Sequence, residues 1–512
     1  MAVSRRAFLM TGAAAGAAAV VRPLAAAGTG PAPGRGMPMG RPNIVLLMAD
    51  QMRGDCVGAD GNSAIRTPNL DRLARDGALF TRAYSSTPSC TPARAALLTG
   101  CAPWRHGMLA YGRIAERYPF EFPQALRGAG YYTMGIGKMH YHPQRNKHGF
   151  HETILDESGR VESPEFKSDY RAWFQTMAPG ENPDATGIGW NDYPARPYAL
   201  PEELHPTRWT ADTAVRFIHR YERPDPFFLK VSFARPHSPY DPPGRFWTMY
   251  EGAPLPAAPV GQWAAPLAER SGKADDIWHG DLGLAQVRTS RQGYYGSISF
   301  VDEQIGRVLD ALDARGRLDD TLILFVSDHG DMTGDHHLWR KTYAYEGSAR
   351  VPLIVRWPTG MVSAARGSTV AAPVEIRDIA PTFMAAAGLD AGDRCDGRSL
   401  LALLSGKPVG WRPWIDLEHS LTYNPDNNWN ALTDGHWKYV FHARDGHEQL
   451  FNLDRDPKEV DDLAGRADAA AALARWRDRL IEHLAPRGGR YVSGGKLARR
   501  PDGILYSPNY PG

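Results

Sequence analysis

Two segments far apart in the chain each end an apolar run in a pair of polar side chains. Asn43-Ile44-Val45-Leu46-Leu47-Met48-Ala49 stops at Asp50-Gln51, and Thr321-Leu322-Ile323-Leu324-Phe325-Val326-Ser327 stops at Asp328-His329. If both runs are strands of one parallel sheet, their carboxyl ends face the same side, where open α/β sheets bind ligands. Two carboxylates, an amide oxygen and an imidazole could then converge on one divalent cation. Oxygen ligands favour a hard ion such as Ca2+ or Mg2+, and an imidazole tilts the balance towards Mn2+ or Zn2+. Either pair alone could equally cap a helix or sit in a loop ion pair. A third stretch, Ser89-Cys90-Thr91-Pro92-Ala93-Arg94-Ala95-Ala96-Leu97-Leu98-Thr99-Gly100, adds weight to the ion site. It sets one of only four cysteines at the head of an apolar helical run, with proline two residues on and arginine four residues on.

The elements that must position these groups can be read from the same pattern. Further buried strands are expected at Phe227–Phe233 and Pro352–Arg356, with helical patterns between them, notably over 294–312. This alternation predicts an α/β fold with a large mixed, mostly parallel sheet sandwiched by helices. Thr67-Pro68 predicts a helix start with a Thr cap, its apolar face made by Leu70, Leu73, Ala74 and Ala78. From about residue 410 short aromatic segments, such as Trp437–Phe441 and Gln449–Leu453, are followed by an amphipathic helix from about 469 to 484. They predict a smaller C-terminal α+β subdomain. The expected division is a catalytic domain at 41–409, the subdomain at 410–487 and an extended tail at 488–512. That tail is long enough to reach a neighbouring subunit, and oligomeric state is left open.

The chain has 512 residues, with 59 Lys and Arg against 57 Asp and Glu, so no global field draws nucleic acid or an acidic membrane. Ser4-Arg5-Arg6 followed by the apolar Thr11–Val21 and by Ala25-Ala26-Ala27 reads as a twin-arginine signal peptide over 1–27, with a Gly/Pro-rich linker at 28–40. The expectation is export to the periplasm or beyond. No other apolar run approaches the length of a membrane span. Cys56, Cys90, Cys101 and Cys395 are too few and too scattered for a disulfide scaffold, and no zinc spacing occurs. A Cys56–Cys101 bridge is compatible with export, but pairing among Cys56, Cys101 and Cys395 is left open.

Cys90-x-Pro92-x-Arg94 with Leu97-Leu98-Thr99-Gly100 resembles the signature of the type I sulfatases, in the alkaline-phosphatase-like superfamily. The likeness extends through Asn43–Gln51, Thr67-Pro68-Asn69-Leu70-Asp71, Gly135-Ile136-Gly137-Lys138-Met139-His140, Pro236-His237-Ser238-Pro239, Val301-Asp302, Ser327-Asp328-His329-Gly330, Asp378-Ile379-Ala380-Pro381-Thr382, Asp396-Gly397-Arg398-Ser399-Leu400 and Leu450-Phe451-Asn452-Leu453, over about residues 41–465.

The resemblance implies that a formylglycine-generating enzyme oxidises Cys90 to formylglycine (3-oxoalanine). The hydrate of that aldehyde has two hydroxyls, one to attack sulfur and one to lose its proton and expel sulfate. Asp50, Gln51, Asp328 and His329 would bind the metal, with the residue at 90 as a further ligand. Arg94 would hold the hydrate and the carboxylates. Lys138 and Lys341 would clamp sulfate oxygens, His140 would assist collapse of the hydrate, His237 would protonate the leaving oxygen, and Asp328 is a candidate base. Many members carry Asp-Asp where this chain has Asp50-Gln51, a pairing found in branches that resemble choline sulfatases and phosphonate monoester hydrolases. Gln51 removes one negative charge, which favours Mn2+ more than an Asp-Asp pair would; Ca2+ is expected, with Mn2+ as the alternative.

The expected function is hydrolysis of a sulfate monoester on a carbohydrate or aryl group, with a sulfated small molecule or glycan as partner. The alternatives are a phosphonate monoester or phosphodiester hydrolase using the same site, and a non-catalytic binder of sulfated glycans. His336 and His337 are expected at the rim. Tyr141, Arg145 and His148 suit either the substrate mouth or plain surface. The aromatic and Arg-rich loops at 180–200, 240–250 and 423–430 suit either a sugar platform or packing.

Overall fold

The apolar run before Gln51 forms β1 (Asn43–Asp50), in which every residue is buried. The computed structural model describes residues 40–512, apart from 158, 160–165, 273–276, 407–409 and 425–426. The leader read at 1–27, and all of the linker but Gly40, lie outside the described residues. The other strands of the main body are β2 (Ala78–Phe80), β3 (Ala83–Tyr84), β4 (Tyr132–Gly137), β5 (Glu152–Leu155), β6 (Phe227–Pro236), β7 (Thr321–Ser327), β8 (Leu353–Arg356) and β9 (Ser368–Val370). All but β3 belong to one eight-stranded sheet in the order β5-β4-β6-β1-β7-β8-β2-β9. The five strands from β5 to β7 run parallel; β8 is antiparallel to both of its neighbours, β7 and β2. The fold is therefore a mixed, mostly parallel sheet with helices on both faces.

Strand geometry explains why β1 lacks an alternating pattern. Successive side chains point to opposite faces, and both faces are covered. Ile44, Leu46 and Met48 pack with Ala93, Leu97 and Leu98 of the helix Cys90–Thr99 and with Ile379 and Phe383. Val45, Leu47 and Ala49 pack on the other face with Ala211, Ala214 and Ile218 of the helix Pro206–Arg220, and with Ile298, Val301 and Ile305 of the long helix Leu284–Ala314. Each fully buried aliphatic side chain contributes roughly 1.5–3 kcal/mol, so a strand buried on both sides is a strong anchor for whatever follows it.

The helix Pro68–Arg75 buries Leu70, Leu73 and Ala74 as expected, but Ala78 opens β2 instead of extending its face. Thr67 does not cap this helix: its hydroxyl accepts from Gly58 N–H at 2.8 Å. The cap is Asp302 of the long helix, whose carboxylate accepts from Asn69 N at 3.1 Å, Leu70 N at 2.7 Å and Asn69 Nδ2 at 3.0 Å.

In the C-terminal region Ile415–His419, Trp429–Thr433, Trp437–His442 and Glu448–Asn452 form an antiparallel sheet. Leu473, Trp476, Leu480 and Leu484 of the helix Ala470–Leu484 close it, against Leu432, Tyr439 and Leu450. The tail does not hang free. It carries a two-stranded hairpin at 492–497 and then lies along its own chain. Leu109 N donates to Leu505 O at 2.9 Å, Ser507 N to Gly107 O at 2.7 Å, and the Tyr510 hydroxyl to Arg113 O at 2.6 Å. Among the described residues no helix is long and apolar enough to cross a membrane.

Replacing Asp302 with Ala should strand the two backbone donors it caps and lower stability by about 2 kcal/mol. Denaturant unfolding would measure the loss; an unchanged midpoint would mean that the cap is dispensable.

Candidate active site

Four neighbouring strands, β4, β6, β1 and β7, deliver their carboxyl ends to one place. Lys138 follows β4, His237 follows β6, Asp50-Gln51 ends β1 and Asp328-His329 follows β7. Ala49 is paired with Ser327, so the two aspartates leave the sheet in the same row, and a register shift after Ala49 sets Asp50 beside Pro236. Lys138 N donates to Ser232 O at 2.8 Å and His237 N to Asp50 O at 3.0 Å, which fixes both side chains from the backbone. Gly137 permits the turn into Lys138: its φ is +92° and a Cβ there would stand 2.1 Å from Ser232 O.

Cys90 is the first residue of its helix, entered from an extended Ser89, and every residue from Cys90 to Thr99 is buried. Pro92 sits in the first turn, where no intrahelical N–H is needed. Arg94 lies one turn after Cys90 on the same face, which is the physical meaning of the spacing. Its guanidinium spans the site. Nε donates to Asp328 Oδ2 at 3.1 Å, Nη2 to Asp50 Oδ2 at 3.0 Å, and Nη1 to Lys138 O at 2.6 Å. Lys138 Nζ also pairs with Asp50 Oδ2.

Ligating atoms of Asp50, Cys90, Asp328 and His329 lie within 4.8 Å of one another, all buried. Asp50 Oδ1 is a buried acceptor that receives no donor among the described residues. His329 Nδ1 donates to Gly330 O at 2.9 Å, which turns Nε2 to Cys90 Sγ at 3.2 Å, where it offers a lone pair when the ring is neutral. An orphaned carboxylate oxygen, a second carboxylate and an imidazole with its lone pair inward form a donor set that fits one divalent cation.

Gln51 is held at every polar atom. Its N–H donates to Asp328 Oδ1 at 3.0 Å and its carbonyl accepts from Tyr294 at 2.6 Å. Its Nε2 donates to Asp331 Oδ2 at 2.5 Å, so Oε1 is the end that meets Lys341 Nζ, at 2.7 Å. Lys341 Nζ also lies 3.3 Å from Cys90 Sγ and 2.9 Å from His237 Nε2. His237 Nδ1 donates to Ser238 O at 2.8 Å, and the indole of Trp190 stacks on the imidazole at 4.6 Å and 22°.

His140 stands slightly apart. Glu157 accepts from its N–H at 2.7 Å and from Met139 N–H at 2.8 Å, and its Nε2 meets the Tyr111 hydroxyl at 3.5 Å. Gln51, His140, Arg340, Thr342 and Tyr423 all have positive φ, between 59° and 84°, in a region non-glycine residues rarely adopt.

The charges act in concert. Burial pushes the Asp50 carboxyl up, but Lys138, His237, Arg94 and Lys341 together hold it well below the usual range. Burial likewise raises the Cys90 thiol; Lys341, then Lys138 and His329, outweigh burial and Asp50 and bring it down to about 6. The position at 90 is therefore a place where negative charge is stabilised.

Sequence reading did not single out Asp331, Glu157, Trp190 or Tyr423 by role. Asp331 follows Asp328-His329 by two residues, which was the available signal; it binds Gln51, Arg340 N at 3.1 Å and Tyr240 at 2.6 Å. Tyr423 and Tyr193 face the Arg340 guanidinium at 5.2 and 5.4 Å. The other residues considered for the rim and mouth differ in burial. His336 is buried, with Nε2 donating to Lys458 O at 2.9 Å, and His148 is buried against Glu121 at 2.8 Å. Tyr141 is buried under Lys230, and Arg145 forms an exposed pair with Asp169.

Residues 42–389 match the family model described as Sulfatase, and residues 334–485 match the one described as N-sulphoglucosamine sulphohydrolase, C-terminal. An arylsulfatase of Clostridium perfringens is 39% identical over 473 residues, covering 90% of this chain and 98% of that protein. A choline-sulfatase of Rhizobium meliloti is 33% identical, covering 87% and 88%. Among solved structures, the phosphonate monoester hydrolase of Agrobacterium radiobacter aligns with a TM-score of 0.73 at 29% identity, covering 90% of this chain and all of that one.

Asp331→Ala should free the Gln51 amide to rotate and reduce kcat/KM by about 10–100-fold, the usual cost of losing a group that orients a side chain beside an ion site. Steady-state kinetics on folded variant would test this; wild-type rates would mean that Asp331 does not orient the amide.

Proposed function

Because the chain belongs to the sulfatase family, and so is a sulfuric ester hydrolase, we propose that it hydrolyses an aryl or carbohydrate sulfate monoester, using a formylglycine made from Cys90 and one divalent cation. The observation that carries this reading is the Arg94 guanidinium bridging Asp50 and Asp328, with Cys90 Sγ between His329 and Lys341. Sγ stands in for the attacking oxygen of the aldehyde hydrate. A cation held by Asp50, Gln51, Asp328 and His329 would polarise a sulfate oxygen and favour the ionised nucleophile; Ca2+ fits the oxygen-rich set, with Mn2+ as the alternative.

The chain's own groups supply the rest. Arg94 holds the two carboxylates in register, and its fixed charge favours an anion at position 90. Lys341 lies close to Cys90 Sγ, where it can bind a sulfate oxygen, and Lys138 supplies a second cation from the Asp50 side. His237 serves the leaving oxygen. Its Nε2 receives a hydrogen bond from Lys341, so the two share a proton that can be delivered as the ester bond lengthens. Trp190 keeps that imidazole in plane. His140, positioned by Glu157, assists at the hydrate. The twin-arginine leader supports export, and the curated relatives, named for aryl and choline sulfates, support a small monoester as substrate.

A second reading, phosphonate monoester or phosphodiester hydrolysis at this site, is favoured by Asp50-Gln51 and by the likeness to a phosphonate monoester hydrolase. Turnover of an aryl sulfate and an aryl phosphonate monoester should be compared on protein produced with the cysteine-oxidising enzyme. A higher sulfate rate, with an aldehyde on the Cys90 peptide by mass, is expected; a dominant phosphonate rate would select the second reading, and active protein holding only the thiol would remove the formylglycine step. Cys90→Ala should lose at least about 10³-fold in kcat, as a missing nucleophile does. Trp190→Ala should slow sulfates with alkoxide leaving groups by about tenfold while sparing 4-nitrophenyl sulfate, whose leaving group needs no proton. Equal losses on both would show that Trp190 does not act through His237.

A further inference from the structure

Three of the four cysteines take no part in the proposed chemistry. Cys56 is packed in the core on the long-helix side of the sheet, so the Cys56–Cys101 bridge considered from the sequence does not match the packing. Cys101 instead lies beside Cys395, which follows it by most of the catalytic domain. Asp396 N and Gly397 N both donate to Gly100 O, at 3.0 and 2.9 Å, so the residue after one cysteine is bound to the residue before the other. Cys101 Sγ is 3.3 Å from Arg394 O and 3.6 Å from Thr99 O, and Cys395 Sγ is 3.4 Å from that same Thr99 oxygen. A Cβ on Gly100 would stand 2.7 Å from Cys395 Sγ. Asp396 braces the junction by accepting from Ala102 N at 2.8 Å and Arg105 Nη1 at 2.7 Å.

We propose that Cys101 and Cys395 form a disulfide that fastens the carboxyl end of the Cys90 helix to the segment around Asp396. Backbone bonds at Gly100 and the Asp396 carboxylate at Ala102 already hold the two segments together, so closure needs side-chain rotation and little movement of the chain. Burial raises both thiols, Cys395 to about 12, so the thiolate that starts exchange is scarce near neutral pH and exchange quickens as pH rises, while the pair once oxidised is not drawn back by thiolate stabilisation. Cys395 is half-buried where Cys101 is buried, so Cys395 is the thiol that a small oxidant reaches first.

The oxidant is a low-molecular-weight disulfide such as oxidised glutathione. The Cys395 thiolate, on the more exposed residue, attacks one sulfur and releases one glutathione thiol. The Cys101 thiolate then attacks the Cys395 sulfur of the mixed disulfide and releases the second. The protein pair loses two electrons and two protons, and the glutathione disulfide is reduced to two thiols.

The test uses the full chain incubated with oxidised glutathione, then denatured, alkylated and digested. A peptide pair cross-linked through Cys101 and Cys395, with Cys56 alkylated, is expected. The oxidised protein should melt a few degrees above the same protein in dithiothreitol, and C101S and C395S should each abolish that difference while retaining turnover. Alkylation of both cysteines after oxidation would overturn the proposal, as would Cys395 carrying glutathione beside an alkylated Cys101. A redox-dependent melting shift that survives in either serine variant would overturn the fastening role.

Discussion

One guanidinium organises this site. Arg94 lies on a buried helix and meets a carboxylate from each of two adjacent strands, Asp50 and Asp328, with its side chain wholly shielded from water. Two buried carboxylates side by side would repel, and each would resist ionising. A cation fixed between them removes both difficulties and leaves Asp50 Oδ1 without a donor, while Asp328 Oδ1 accepts from Gln51 N–H. The desolvation cost of such an arrangement is large, so it is weak evidence for stability and strong evidence for a purpose at that spot. Every other group in the site is placed relative to it: Cys90 one turn earlier on the same helix, Lys138 through its carbonyl, His237 through the backbone of Asp50.

The sheet makes this convergence possible. Residues separated by hundreds of positions meet because four parallel strands end at one edge, in register but for the shift that sets Asp50 beside Pro236. The helix Cys90–Thr99 then enters from one face, its first turn aimed at those ends. Asp50 ends a strand and Cys90 and Arg94 lie on a helix, whereas Gln51, Asp328 and His329 directly follow strand ends, and Lys341 and Trp190 come from connecting loops held by side-chain hydrogen bonds and ring contacts. That division matches the general tendency of α/β proteins to keep chemistry at strand ends and specificity in the loops above them.

Much of this was legible in the sequence, for a definite reason. An apolar run that stops at Asp50-Gln51 or Asp328-His329 reports a strand buried on both faces and a polar end, and both reports are local. The four-residue spacing of Cys90 and Arg94 is likewise local. What was not legible depends on partners supplied from afar. The helix starting at Pro68 has a threonine in the cap position, yet its donors are met by Asp302, 232 positions from Leu70, and no local rule reveals that. Glu157, Trp190 and Tyr423 lie in irregular segments whose neighbours are decided by packing. The Gly- and Arg-rich tail reads as free chain because its anchors are backbone bonds to Gly107 and Leu109, which composition does not encode.

The left-handed backbone at Gln51, His140, Arg340, Thr342 and Tyr423 has a cost of its own. Each such residue is disfavoured by about 1–2 kcal/mol relative to ordinary geometry, and the sum is comparable to the whole margin by which a folded domain outlasts its unfolded chain. The scaffold must therefore be sturdier than a molecule without such a centre would require. The catalytic rim is the portion under tension, and the two-faced sheet beneath it is the frame that keeps it drawn.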